Sequence, residues 1–139
     1  MIICPFCSPE TQSRTLKEGE FSYVIFSNPR VAPGHLLVIP KRHIEKLIEL
    51  SEKEKSEILD FLSLFQERIL DKLASGTEIR QNFKPYMAES RIHVNHLHFH
   101  IIPRELGDEI YEKIDKHRTP LYLDLPKEER ERLFKILND

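Results

Sequence analysis

Between residues 96 and 102 the chain reads His96-Leu97-His98-Phe99-His100-Ile101-Ile102, three histidines alternating with apolar side chains. A period of two belongs to extended backbone, where successive side chains point to opposite faces. The pattern predicts a strand over 92–102, ended by Pro103, with Leu97, Phe99 and Ile101 turned into a core. His96, His98 and His100 then share the other face, at intervals of roughly 7 Å from a rise of about 3.3 Å per residue. A sheet with one apolar face must be covered by a second layer.

The cover is one long helical pattern from Ser51 to about Ser75. Ser51 followed by Glu54 has the spacing of a capping box. Ile58, Phe61, Leu62, Phe65, Ile69 and Leu73 recur every three or four residues as a core-facing stripe, and Gly76 ends the run. Residues 21–27 are aromatic and β-branched, and 35–39 follow a Pro33-Gly34 turn and stop at Pro40, so the two read as adjacent antiparallel strands. A further strand is expected over 78–84. Residues 107–116 are mixed, and 126–137 read as a helix with Pro126 in its first turn. The expected class is α+β: an antiparallel sheet with one long helix packed on it and a helical C-terminal tail. A single domain is expected over 1–139, with its core at about 1–104 and the tail at 105–139.

The 21 basic and 23 acidic residues give a net charge of −2. That balance provides no general basic field for a long nucleic acid, although a small anionic ligand needs only a local site. No apolar run has membrane-spanning length. The opening Met1-Ile2-Ile3-Cys4-Pro5-Phe6-Cys7 lacks the charged and apolar regions of a signal peptide, so a cytoplasmic location is expected. Cys4 and Cys7 are the only cysteines. In a reducing compartment such a pair is more often metal-binding or redox-active than a structural disulfide.

Imidazole can serve near neutral pH as nucleophile, proton donor or metal ligand. A lone histidine reads as a hydrogen-bonded structural residue, whereas three in strict alternation read as a site. A metal centre made from all three is the simplest alternative, and it leaves Cys4, Cys7 and the segment around His35 without a part.

The run from His96 to Ile102 resembles the signature of the histidine triad (HIT) family, His-φ-His-φ-His-φ-φ with φ apolar. Val31-Ala32-Pro33-Gly34-His35-Leu36-Leu37-Val38-Ile39-Pro40-Lys41-Arg42-His43-Ile44 resembles that family's other characteristic stretch. Cys4-Pro5-Phe6-Cys7 resembles the cysteine pair that opens its zinc-containing members. The three occur in the family's order and cover the chain to about Arg104.

This resemblance implies a nucleotide-conjugate hydrolase acting on dinucleoside polyphosphates or nucleoside phosphoramidates. His98 would attack the α-phosphorus to form a nucleotidyl-histidine, which water then releases. His100 would bind phosphate oxygens, and His35 would be the fourth histidine of the cluster. Cys4, Cys7, His43 and His96 would hold one structural Zn2+ with no position open to substrate. Ser27 and Asn28 stand where members contact the ribose, and Phe6, Phe21 and Ile25 are candidates to wall the base. A homodimer is implied as well.

One stretch departs from the family. Many members carry Asn-x-Gly and then Ala-Gly-Gln before the triad. Here Asn82-Phe83-Lys84 and Ala88-Glu89-Ser90-Arg91-Ile92 occupy that region, with Ile92 at the Gln position. Asn82 would match the family's Asn through a longer loop, and Ser90 or Arg91 would supply the missing phosphate contact. His100, where transferase branches often carry Gln, resembles the hydrolase branches. A nucleotidyltransferase or phosphorylase is the alternative enzyme, and a weakly active nucleotide-binding regulatory module is the alternative outside catalysis.

Overall fold

The aromatic and β-branched segment after Gly19 and the apolar segment after His35 form neighbouring antiparallel strands, β2 (Ser22–Phe26) and β3 (Leu36–Pro40). The computed structural model describes residues 4–138, and the expectations for Met1 to Ile3 lie outside them. With β1 (Thr15–Glu18), β4 (Gly76–Arg80) and β5 (Phe99–Arg104) these strands make one antiparallel sheet in the order β1-β2-β3-β5-β4. Helix α1 (Glu52–Lys72) packs on one face through Ile58, Phe61, Leu62, Phe65 and Ile69, against Val24, Leu36, Val38, Leu97 and Ile101. Each fully buried side chain of this kind contributes roughly 1.5–3 kcal/mol. The α+β expectation is met.

The capping box is present: the Ser51 hydroxyl accepts from Glu54 N–H at 3.1 Å, and Ser51 N–H donates to Glu54 Oε1 at 2.9 Å. Glu54 also receives Arg42 NH2 at 2.7 Å, and that guanidinium, ahead of the other causes, holds the carboxyl down at about 2. A second acid on the helix, Glu57, is the staple between layers. Its carboxylate accepts from the backbone N–H groups of Glu20, Phe21 and Ser22 and from the Ser22 hydroxyl, at 2.5–3.1 Å.

Several boundaries differ from the pattern reading. β1 is additional, and its Thr15-Leu16-Lys17-Glu18 carries no apolar alternation because it is a largely exposed edge strand. α1 ends at Lys72 and leaves Leu73 55 % exposed, because the N–H groups of Leu73 and Ala74 both turn back to the Ile69 carbonyl. Ser75 N–H is taken by Glu105 Oε1 at 2.7 Å, and Gly76 opens β4 rather than closing the helix.

The expected strand over 92–102 enters the sheet only at Phe99. Upstream its polar groups are spent elsewhere: Leu97 N–H donates to the Ile44 carbonyl at 2.7 Å, and the His96 carbonyl accepts from its neighbour's ring, His98 Nδ1, at 2.7 Å. β4 stops at Arg80, which pairs with His100, for the same reason, since residues before Phe99 offer no ladder. β5 runs through Pro103, beyond the last residue paired with β3, Ile101. The assignment of faces survives these shifts, with Leu97 and Ile101 buried in the helix-side core and Phe99 packed against it.

A compact unit extends to Glu105, and a second begins at Leu106. The second contains α2 (Glu109–Lys113), capped by the Asp108 carboxylate accepting from Tyr111 N–H at 2.8 Å, and α3 (Lys127–Asn138). No helix among the described residues is long and apolar enough to cross a membrane.

Glu57→Ala should destabilise the protein by about 1–3 kcal/mol, because Ser22 is fully buried and its donors lose their acceptor. Urea unfolding checks this, and an unchanged midpoint would show that the staple is dispensable.

Candidate active site

The triad histidines lie on β5, on the sheet face opposite α1, or on the segment that feeds it. His96 is 1 % exposed, and its orientation follows from its partners. Its Nε2 lies 2.7 Å from the Pro40 carbonyl, which can only accept, so the proton is on Nε2 and Nδ1 carries the lone pair. That Nδ1 faces Cys4 Sγ at 3.4 Å and Cys7 Sγ at 3.6 Å. His43 Nδ1 lies 3.6 Å from Cys7 Sγ, and the ligand atoms of Cys4, Cys7, His43 and His96 all fall within 4.8 Å of one another. Two sulfurs and two imidazole nitrogens converging in this way suit a tetrahedral, thiophilic cation such as Zn2+. Burial first, and then the hydrogen bond with Cys7, push the Cys4 thiol up to about 11.

His98 is oriented by the same device. Its Nδ1 donates to the His96 carbonyl, which leaves Nε2 unprotonated in the neutral ring. Burial holds its pKa below the ordinary value. Phe6 stands edge-on between the two rings, with centroids 5.1 Å from His98 and 5.8 Å from His96. Phe6 is itself fixed by the Tyr23 hydroxyl, which donates to its carbonyl.

His35 and His100 form a relay. Val31 N–H donates to His35 Nδ1 at 3.2 Å, so His35 carries its proton on Nε2 and donates to His100 Nδ1 at 2.9 Å. His100 is left with an N–H on its outer nitrogen, Nε2. Burial, then nearby positive charge, lowers His35 to about 4 and His100 to about 3, so both rings are neutral at pH 7. The His98 and His100 centroids are 5.0 Å apart, closer than the spacing of a flat strand.

These groups open on a cleft of about 570 Å3 that includes His35, His98 and His100 together with Ser27, Asn28 and Arg91. Ser27 is partly occupied with its own turn, its hydroxyl donating to the Pro29 carbonyl at 2.8 Å. Asn28 Oδ1 and Arg91 NH2 are 3.5 Å apart. Arg91 and Ile92 reach the cleft as the tip of a tight turn closed by Ser90 N–H to the His93 carbonyl at 2.9 Å. Ser90 lies at the base of that turn, where its hydroxyl accepts from Ile92 N–H, and it does not line the cleft. Asn82 also lies outside it, in a small separate depression beside His93 and Glu45. Of the three candidates for a base wall, Phe6 lines the cleft, Ile25 is fully buried with Leu37 and Ile39, and Phe21 lies beside Glu54 and Arg42.

Three cleft arginines escape a reading of the sequence alone: Arg14, Arg30 and Arg80. Arg80 is opposed to His100 by the β4–β5 register, a pairing that no local pattern announces.

The HIT domain family matches residues 8–107, and the chain belongs to that family. Among its relatives is the bis(5'-adenosyl)-triphosphatase of Dictyostelium discoideum, 31 % identical over 127 residues that cover 86 % of this chain and 83 % of that one. The adenosine 5'-monophosphoramidase of Schizosaccharomyces pombe is 31 % identical over 106 residues, covering 74 % and 73 %. The fold is shared with a HIT family protein from Bacillus subtilis at a TM-score of 0.72, with 22 % identity over 97 % of this chain and 94 % of that one.

The relay predicts that His35 and His100 stay uncharged across the physiological range. Unfolded histidines bind protons below about 6.5 while these two do not until about 4 and about 3, so the unfolded state carries more protons in that window. Their contribution to stability therefore rises with pH up to about 6.5, from about 4 for His35 and from about 3 for His100. Imidazole 15N chemical shifts should show no titration of either ring between about pH 5.5 and 8. A midpoint above 6 for either would break the assigned chain of donors.

Proposed function

We propose that this protein is a hydrolase of nucleotide conjugates that cleaves at the α-phosphate through a covalent intermediate on His98. The observation that carries the reading is the His98 ring, held by Nδ1–H on the His96 carbonyl so that its remaining nitrogen is a bare lone pair in a cleft. In the first step His98 Nε2 forms a bond to the α-phosphorus as the bond from phosphorus to the leaving group breaks. The leaving group departs with the electron pair and is protonated by water. The ring becomes an imidazolium whose Nδ1–H strengthens its bond to the His96 carbonyl. The outer N–H of His100 donates to a non-bridging oxygen as charge grows there. Water then attacks phosphorus, the N–P bond breaks, and a nucleoside monophosphate leaves with His98 restored.

The bis(5'-adenosyl)-triphosphatase and monophosphoramidase names of the relatives support the reaction class. The cleft position of Ser27, Asn28 and Arg91 supports contacts to ribose and phosphate, with Phe6 beside the base. Asn82 and Ser90 take no direct part in this reading. Cys4, Cys7, His43 and His96 hold one Zn2+, which fixes the amino-terminal turn against the catalytic segment and stands outside the chemistry. A cytoplasmic homodimer belongs to the same reading, and β4 leaves a sheet edge open for a second subunit.

His98→Asn should lower kcat by at least about a thousandfold with nucleotide affinity little changed. Steady-state turnover of diadenosine triphosphate and adenosine 5'-phosphoramidate, with nucleotide binding by calorimetry, checks both halves. Near-normal turnover would remove the covalent mechanism, and product analysis with added inorganic phosphate separates hydrolase from phosphorylase.

Elemental analysis should find one zinc per chain. Replacing both cysteines, Cys4→Ser with Cys7→Ser, should lower Tm by more than about 5 °C. Zinc-free protein whose Tm does not respond to reconstitution would refute the site.

A further inference from the structure

The cleft carries four arginines, Arg14, Arg30, Arg80 and Arg91, against one carboxylate, Glu10, in a chain of net charge −2. They are not equally free to meet a ligand. Arg14 NH1 donates to the Phe26 carbonyl at 2.8 Å, and Arg91 leans on Asn28. Arg80 is different. Its pairing with His100 sends both side chains from the same face of the sheet, on Cα atoms about 5 Å apart. Its nearest carboxylate, Glu78 Oε1, is 3.6 Å away, while Glu78 Oε2 is engaged by Arg104 at 2.7 Å. The Nε of Arg80 is buried with no hydrogen-bond partner. A guanidinium held only by this long ion pair to Glu78 thus stands beside the phosphate-binding histidine with its Nε–H unsatisfied.

The histidines leave a charge unmet. His35 and His100 are neutral, so they can direct hydrogen bonds at one phosphate but cannot balance the anion of a second. Arginine binds phosphate as a planar, two-pronged donor, and at this place it would meet a group next to the one His100 holds.

We propose that Arg80 binds the phosphate adjacent to the scissile one on the leaving-group side, making the cleft selective for dinucleoside polyphosphates over nucleoside phosphoramidates. The proposal rests on the nucleotide-conjugate reading above. An amine leaving group brings no anion to Arg80, so only the polyphosphate substrates gain from it.

The test compares Arg80→Ala and Arg80→Lys with the wild-type chain on diadenosine triphosphate and adenosine 5'-phosphoramidate. Arg80→Ala should lower kcat/KM for the triphosphate at least about tenfold, as expected for one lost charge-assisted contact, and for the phosphoramidate less than about threefold. Arg80→Lys, which keeps the charge and loses the fork, should fall between. Equal losses on both substrates, or none, would overturn the proposal. Binding of inorganic tripolyphosphate gives a readout that needs no turnover. Arg80→Ala should weaken it at least about fivefold while AMP binding moves less than about twofold. If the wild-type chain cleaves neither substrate, the hydrolase reading fails, and tripolyphosphate binding alone then decides whether Arg80 is an anion site. Unchanged tripolyphosphate affinity would overturn it.

Discussion

The buried imidazole of His96 fastens three parts of the molecule at once. Its Nε2–H closes on the carbonyl of Pro40 at the end of β3, its Nδ1 faces Cys4 and Cys7, and its own carbonyl receives Nδ1–H of His98. The two carbonyl bonds each fix the protonation of a ring, because a carbonyl accepts and never donates. A side chain takes the place of a ladder partner at Pro40, and the strand therefore starts seven residues later than the pattern predicts, at Phe99. What the sheet loses in backbone pairing is offset by buried bonds with defined direction. The nucleophile of the proposed reaction consequently inherits its orientation from the residue that completes the candidate metal site.

Charge and hydrogen bonding are divided between different residue types in the cleft. Burial keeps the histidines neutral, and the Val31–His35–His100 relay tells each ring which nitrogen bears its proton. Positive charge comes instead from arginines, whose guanidinium stays protonated in any environment found in a protein. The two are coupled, since Arg80 adds to the lowering of both His35 and His100. The arginine that opposes His100 thereby adds to the burial that keeps the relay uncharged.

Much of this was legible in the sequence because it is written in local periodicity. The triad alternation assigned Leu97 and Ile101 to one face and the histidines to the other, and the stripe from Ile58 to Ile69 located the helix that covers the sheet. The Ser51–Glu54 box marked where that helix begins. What escaped depends on pairings between distant segments. β1 has no apolar pattern because an exposed edge needs none, the Glu57 staple joins residues 35 and more positions apart, and the reach of Arg80 to His100 is a matter of register. The early end of α1 at Lys72 likewise follows from carbonyl sharing at Ile69, which no propensity encodes.

The relay also depends on a backbone choice remote from any reacting atom. The β2–β3 loop must return tightly enough for Val31 N–H to reach the ring of His35, and Gly34 allows this at φ 86°. A Cβ on Gly34 would lie 2.3 Å from Leu73 Cδ2, so the space that a side chain would need is filled from the end of α1. The side chain of Leu73, half-exposed and just past the helix, occupies the space that a Cβ on this turn would take. The outer N–H of His100 is therefore set, through His35, by the Val31 N–H and by the turn that Gly34 permits. A larger residue at position 34 would be strained at this positive φ and would have to displace the Leu73 side chain. Were the turn to open in relief of that strain, the Val31 bond would be lost, and the proton of His35 would be free to move to Nδ1. His100 would then face Nε2 of His35 as a second lone pair, and its own proton would turn inward, away from the phosphate.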